Sequence, residues 1–170
     1  MTLDIPALFA RHASHGLVLD SNLLVFFCVG RFDPRLIARH RRTKAYDEDD
    51  FRRLRYFCSH FHRVVVTPHI LAELSNLTLG RSGAAIDQLP ISIVETIKTA
   101  HEIHVENDVL VTKANIARFG FTDAGIIELS ISQQLLVLTD DLPLANMLEK
   151  SRAPVVNFNL VRNFRPKKPL

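Results

Sequence analysis

Asp20, Glu73, Asp123 and the adjacent pair Asp140 and Asp141 are the side chains whose types and spacing point to chemistry. Asp20 follows the apolar run Leu17 to Leu19 in Leu-Val-Leu-Asp-Ser-Asn, and Asp140 and Asp141 follow Leu135 to Leu138 in Val-Leu-Thr-Asp-Asp. An aspartate between a strand and a helix is a good N-cap, which accounts for either position taken alone. Two parallel strands of one sheet would, however, each deliver a carboxylate to the same end of that sheet, and capping does not require that. Glu73 falls about 60° around its helix from Ile70, at the edge of a buried stripe of Ile70, Leu74 and Leu77. A rim glutamate paired with a Lys or Arg is the plain alternative. Asp123 stands in the first turn of a helix, where the dipole favours an acid. It also leans toward the face carrying Ile126, Ile127 and Ser130.

Anions gathered in a partly dry pocket repel one another, so such a group is tolerable only with protonation, cationic partners or a bound divalent metal. Helix N-termini at Asp20, Asp123 and Asp141 would offset part of that repulsion. Ligands that are all oxygen select hard cations, Mg²⁺ or Mn²⁺ ahead of zinc. The chain has no Gly-x-Ser-x-Gly elbow and no glycine-rich phosphate loop to suggest a different chemistry.

The elements that must position these acids alternate along the chain. Leu17 to Leu19, Val64 to Val66, Leu135 to Leu138 and Val155 with Val156 are continuous apolar runs, as expected of strands covered on both faces. Helical patterns fill the gaps at Asn22 to Phe32, Asp50 to His62, Pro68 to Leu77 and Leu142 to Lys150. Ala84 to His104 is helical in outline but interrupted near Pro90. A short helix from Lys113 to Arg118 should stop at Gly120, and Thr122 should cap the next, which runs to about Gln133. Strands separated by helices predict an α/β fold around a mainly parallel sheet of four or five strands, with the ligand site at the carboxyl ends of the strands. The polar, charged stretch from Arg31 to Asp50 reads as an insertion.

A chain of 170 residues fits one compact domain, and 47% hydrophobic with 23% charged residues excludes a disordered polymer. The net charge of +3 is too small to argue for nucleic acid. Its distribution says more. Arg39, Arg41, Arg42 and Lys44 cluster, Arg162, Arg165, Lys167 and Lys168 make a basic tail, and Asp47 to Asp50 form an acidic counter-run. Solvated surface and phosphate contact are both open for these segments. Cys28 and Cys58 lack metal-type spacing and read as reduced core residues. His60 and His62 have no matching Cys or His pair for zinc, and Phe51, Tyr56, Phe57 and Phe61 read as core. With no signal-like or ~20-residue apolar run, a cytoplasmic protein without a membrane partner is expected.

Taken in chain order, Asp20-Ser21-Asn22 after its strand, Thr67-Pro68-His69-Ile70-Leu71-Ala72-Glu73-Leu74, Gly120-Phe121-Thr122-Asp123-Ala124 and Leu138-Thr139-Asp140-Asp141 resemble the four acidic motifs of PIN-domain nucleases, over roughly Leu17 to Phe158. The resemblance implies a three-layer α/β/α domain and a metal-dependent endoribonuclease. In it, Asp20, Glu73, Asp123 and Asp141 would hold one or two Mg²⁺ or Mn²⁺ ions and position a metal-activated water for in-line attack on an RNA phosphodiester. Asn22 and Thr139 match positions that support the carboxylates by hydrogen bonds. The usual Thr-x-Asp form of the last motif selects Asp141 as the ligand and leaves Asp140 as an auxiliary acid or a cap. Arg39, Arg41, Arg42 and Lys44 would hold the RNA backbone. Many proteins of this kind are toxins of bacterial toxin–antitoxin pairs, often homodimeric and silenced by a protein antitoxin. The long segment from Arg31 to Asp50 and the basic tail depart from that compact pattern.

Two other readings compete. Asp20 after an apolar strand also resembles the nucleophile of haloacid-dehalogenase-like phosphatases, which carry a second Asp two residues on, where this chain has Asn22. A PIN-like module that binds RNA or protein without cutting would be expected to have a broken acidic set. Here all four positions are filled.

Overall fold

The structure is a computed structural model that describes residues 4–78, 89–112 and 116–163. Arg165, Lys167 and Lys168 of the basic tail, the start of the helical stretch at Ala84 and the beginning of the helix from Lys113 lie outside the described residues.

Strands β1 (Leu17–Leu19), β2 (Val64–Val66), β3 (His101–Glu102), β4 (Leu136–Thr139) and β5 (Val155–Asn157) form one all-parallel sheet in the order β3-β2-β1-β4-β5. Val18 pairs with Val65 on one side and Val137 on the other, which puts β1 at the centre. A strand with neighbours on both edges and helices on both faces has no polar side, hence the uninterrupted apolar runs. The flanking helices are α1 (Ile5–His12), α2 (Ser21–Phe32), α3 (Glu48–Cys58), α4 (Pro68–Thr78), α5 (Leu89–Thr99), α6 (Asn107–Thr112), α7 (Ile116–Gln133), α8 (Leu142–Lys150) and α9 (Phe158–Arg162). Together they make the three-layer α/β/α architecture. Helix α2 is buried on nearly every side and packs against α3, α4 and α5. Gly30 permits the α3 contact, since a Cβ there would overlap the Phe51 ring.

The apolar runs place four strands, two of them shifted or lengthened by one residue. The fifth, β3, falls inside the stretch that the pattern gave to helix, because its two exposed polar residues carry no strand signal and its place is set by pairing with Val65 and Val66. The interruption at Gly120 is real. Gly120 adopts φ 77°, ψ 178°, a region that side-chain-bearing residues avoid, and it kinks α7. Thr122 is not the outside cap that the sequence suggested, as the helix has already resumed there and Gly120 alone breaks it.

The charged segment from Arg31 to Asp50 is packed rather than looped out. It contains a short 3-10 turn (Pro34–Leu36) and buries Ile37, His40, Thr43 and Tyr46. The acidic run opens α3: Asp47 accepts from the Asp50 N–H at 2.8 Å, and Asp50 returns a bond to the Asp47 N–H, a reciprocal cap. Asp50 is itself buried and paired with Arg162 at 2.7 Å. Cys28 and Cys58 are buried and unpaired as expected. Phe51, Phe57 and Phe61 are core, while Tyr56 is 41% exposed. His60 stacks on Phe9 at 4.1 Å between ring centroids.

Candidate active site

From β1 the chain moves to β2 and then β3 on one side, and β4 and β5 lie on the other. The connections therefore reverse direction between β1 and β4, and a crevice opens beyond the carboxyl ends of strands at such a point. Asp20 leaves β1 there, and Asp140 and Asp141 leave β4 beside it, with the Asp20 N–H bonded to the Leu138 carbonyl at 3.2 Å.

Capping explains part of this arrangement and leaves a remainder. Asp20 caps α2 through the Leu23 N–H at 2.7 Å, and Asp141 caps α8 through the Leu144 N–H at 2.8 Å. Two other strands at the same edge also run into helices, and there the caps are the neutral Thr67 on α4 and Asn157 on α9. Neutral side chains cap about as well, at ~1 kcal/mol each. Negative charge at the switch point thus goes beyond what capping needs.

Asp20 is 5% exposed, and both of its oxygens are engaged. Oδ1 accepts from Leu23; Oδ2 accepts from the Thr139 hydroxyl and from the Asp140 N–H at 3.1 Å. Thr139 in turn accepts from the Asp141 N–H at 2.9 Å, so one hydroxyl ties the ends of β1 and β4 together. Burial, and then the neighbouring charge of Asp140, hold the Asp20 carboxyl well above the ordinary carboxylate range, against the pull of those donors. Thr139 therefore has the supporting place that the sequence gave it.

Asp140 turns the other way. Its Oδ2 accepts from the Tyr46 hydroxyl, and its Oδ1 is buried with no hydrogen-bond partner. Tyr46 is stacked on Phe26 at 4.3 Å, and the Arg162 guanidinium lies 5.5 Å from its ring centre while also reaching the Ala45 carbonyl. The charged segment and the last described helix thus combine to brace one side of the site. Tyr46 escaped the sequence reading, although Ile37, His40, Thr43 and Tyr46 recur every three residues, an inward-facing signal inside a polar stretch.

Glu73, Asp123 and Asp141 make the second half. Glu73 Oε2 accepts from the Ser21 hydroxyl at 2.7 Å, which ties α4 to the residue after Asp20. Asp123, half-buried in the first resumed turn of α7, has its carboxyl pushed up to about 6 by burial and then by the charges of Asp141 and Glu73. Of the adjacent pair Asp140 and Asp141, it is the charge of Asp141 that acts on Asp123, while that of Asp140 acts on Asp20. Asn22, expected as a support, is exposed on α2, and its buried neighbour Ser21 makes the bond to a carboxylate instead.

The donors fit a hard cation by chemistry: all are carboxylate or hydroxyl oxygens, mutually repelling, with one buried oxygen on Asp140 unsatisfied. As the side chains lie, no group of three or more His, Cys, Asp or Glu among the described residues stands close enough to hold a metal ion. Asp20 and Asp141 are each turned onto a helix N-terminus, through the Leu23 and Leu144 N–H groups. Arg39, Arg41, Arg42 and Lys44 are exposed on the segment whose Tyr46 reaches Asp140. No helix among the described residues is long and apolar enough to cross a membrane.

Comparison of the chain with protein-family models, with curated proteins and with solved structures returns no match in any of the three.

Proposed function

We propose that this protein is a metal-dependent endoribonuclease of the PIN kind, acting in the cytoplasm on RNA phosphodiester bonds. What supports the reading is that acids from separate stretches of sequence lie near the reversal point of a parallel sheet: Asp20 ends β1 there, its neighbour Ser21 bonds Glu73, and the charges of Asp141 and Glu73 act on Asp123. The likeness of their motifs to those of PIN-domain nucleases supports the same conclusion.

Asp20, Glu73, Asp123 and Asp141 are the residues that would hold Mg²⁺ or Mn²⁺. The bound ion would supply the positive charge that neutralises them and acidifies the attacking water. Thr139 holds Asp20 in place, Ser21 holds Glu73, and Tyr46 holds Asp140 behind Asp20. Arg39, Arg41, Arg42 and Lys44 contribute phosphate contacts at the rim. A phosphatase of the haloacid-dehalogenase kind is disfavoured because the place of its second Asp is taken by Asn22, which is exposed on α2.

The test is incubation of the purified protein with a mixed RNA pool and Mg²⁺ or Mn²⁺. Cleavage should occur, stop with chelator and vanish in Asp20→Asn. Intact RNA under every metal condition, or cleavage undiminished in Asp20→Asn, rejects the reading and favours a module that binds without cutting. A toxin role, with a protein antitoxin and a homodimeric toxin, rests on the motif likeness. Its expected sign is growth arrest on expression that Asp20→Asn relieves.

A further inference from the structure

His69 and Phe121 form a parallel aromatic pair, ring centroids 5.9 Å apart and planes 12° from parallel, that joins α4 to α7. Phe121 remains 52% exposed in spite of this partner. A ring covered by one stacked neighbour and still half open has surface left for a second flat group. Leaving a phenylalanine so exposed forgoes part of the gain from burying it.

The place of the pair is specific. His69 precedes Glu73 by four residues on α4, so the two share a helix face one turn, about 5.4 Å, apart. Phe121 is the first residue after the Gly120 kink and lies two before Asp123. The two helices that carry the pair are thus the two that carry Glu73 and Asp123, and α4 begins at the carboxyl edge of the sheet, directly after β2. Flat aromatic surface beside a phosphodiester site suits an unpaired base, because single-stranded RNA is held by stacking on aromatic side chains. Every base has such a face, so a ledge of this kind selects strandedness above sequence.

We propose that Phe121, backed by His69, is a base-stacking ledge that seats one unpaired nucleobase next to the scissile phosphate. The inference rests on the ribonuclease reading and makes single-stranded RNA the substrate class.

The test uses single-stranded RNA oligonucleotides carrying one abasic nucleotide, moved position by position. Binding is followed by fluorescence anisotropy in Ca²⁺, and cleavage in Mn²⁺ in parallel. For the wild-type protein one position should stand out, its abasic form binding about 10-fold more weakly. Phe121→Ala should bind the intact RNA about 10-fold more weakly and lose that positional penalty. Phe121→Leu, which keeps the apolar contact with His69 and lacks the ring face, should behave like alanine; Phe121→Trp should restore binding. Equal binding by Phe121→Ala and wild type, or a positional penalty that survives the substitution, overturns the ledge. Cleavage with no dependence on Phe121 removes the ledge and leaves the nuclease; Phe121-dependent binding without cleavage does the reverse. An absence of both binding and cleavage removes both.

Discussion

The two halves of the acidic site are built on different physical terms. Asp20, Thr139, Asp140 and Tyr46 sit on strand ends and a packed segment, with Asp20 and Thr139 buried and donors arranged around the carboxylates before anything binds. Glu73, Asp123 and Asp141 ride on helices and are more open, with Ser21 and the α8 N-terminus as the donors described for them. The first half shares its bonds with buried strand ends, whereas the second is tied down by fewer of them and is more open to solvent.

Several substitutions would break or sharpen that contrast. The largest effect belongs to the buried half: Asp20→Asn should lower metal-dependent cleavage by more than about 100-fold, beyond the usual cost of losing a mere supporting bond. Circular dichroism should show an unchanged fold. Tyr46→Phe comes next. It removes the donor to Asp140 and should cost about 10–100-fold in activity or metal affinity. A second consequence is a loss of roughly 1–3 kcal/mol in urea unfolding, from leaving a buried acceptor bare. Activity equal to wild type would mean that the segment from Arg31 to Asp50 does not brace the site.

How much of this was legible beforehand depends on where the information lies. β1 and β4 show as Val and Leu runs because burial on both faces leaves little other composition open, and the partly buried β2 and β5 show as Val runs. Asp20 and Asp141 were visible as acids after strands, and Glu73 by its angle from Ile70. β3 was not visible, because an edge strand of two exposed residues is defined by its neighbour. The packing of the Arg31 to Asp50 segment went unread because its charge hid the period of Ile37, His40, Thr43 and Tyr46. Asn22 was expected as a support on motif likeness, whereas it is exposed and the buried Ser21 bonds Glu73. Arg162 could be counted as basic, but its reach to Asp50, Ala45 and Tyr46 is tertiary.

Smaller effects test the more open half. Gly120→Ala should cost about 1–3 kcal/mol, since a Cβ meets open space there and the penalty is in the backbone alone. Chemical denaturation measures it, and an unchanged midpoint would argue against the kink. Asp123→Asn is the subtlest. The folded protein holds the Asp123 proton up to about pH 6, against an ordinary carboxylate value of 3.8 in the unfolded chain. Without metal, this group therefore costs stability as pH rises from about 4 through about 6, and the full cost is present above that. The Asn variant should then melt higher than wild type at pH 8 in chelator, with a smaller gain at pH 4. An equal change at both values would show that charge repulsion is not the cause.

Titration of Mn²⁺ into the purified protein, followed by electron paramagnetic resonance, addresses the central claim most directly. The account predicts saturable binding in the wild-type protein that disappears in both Asp20→Asn and Asp123→Asn, one variant from each half. Wild-type protein that takes up no more Mn²⁺ than those two variants would contradict it.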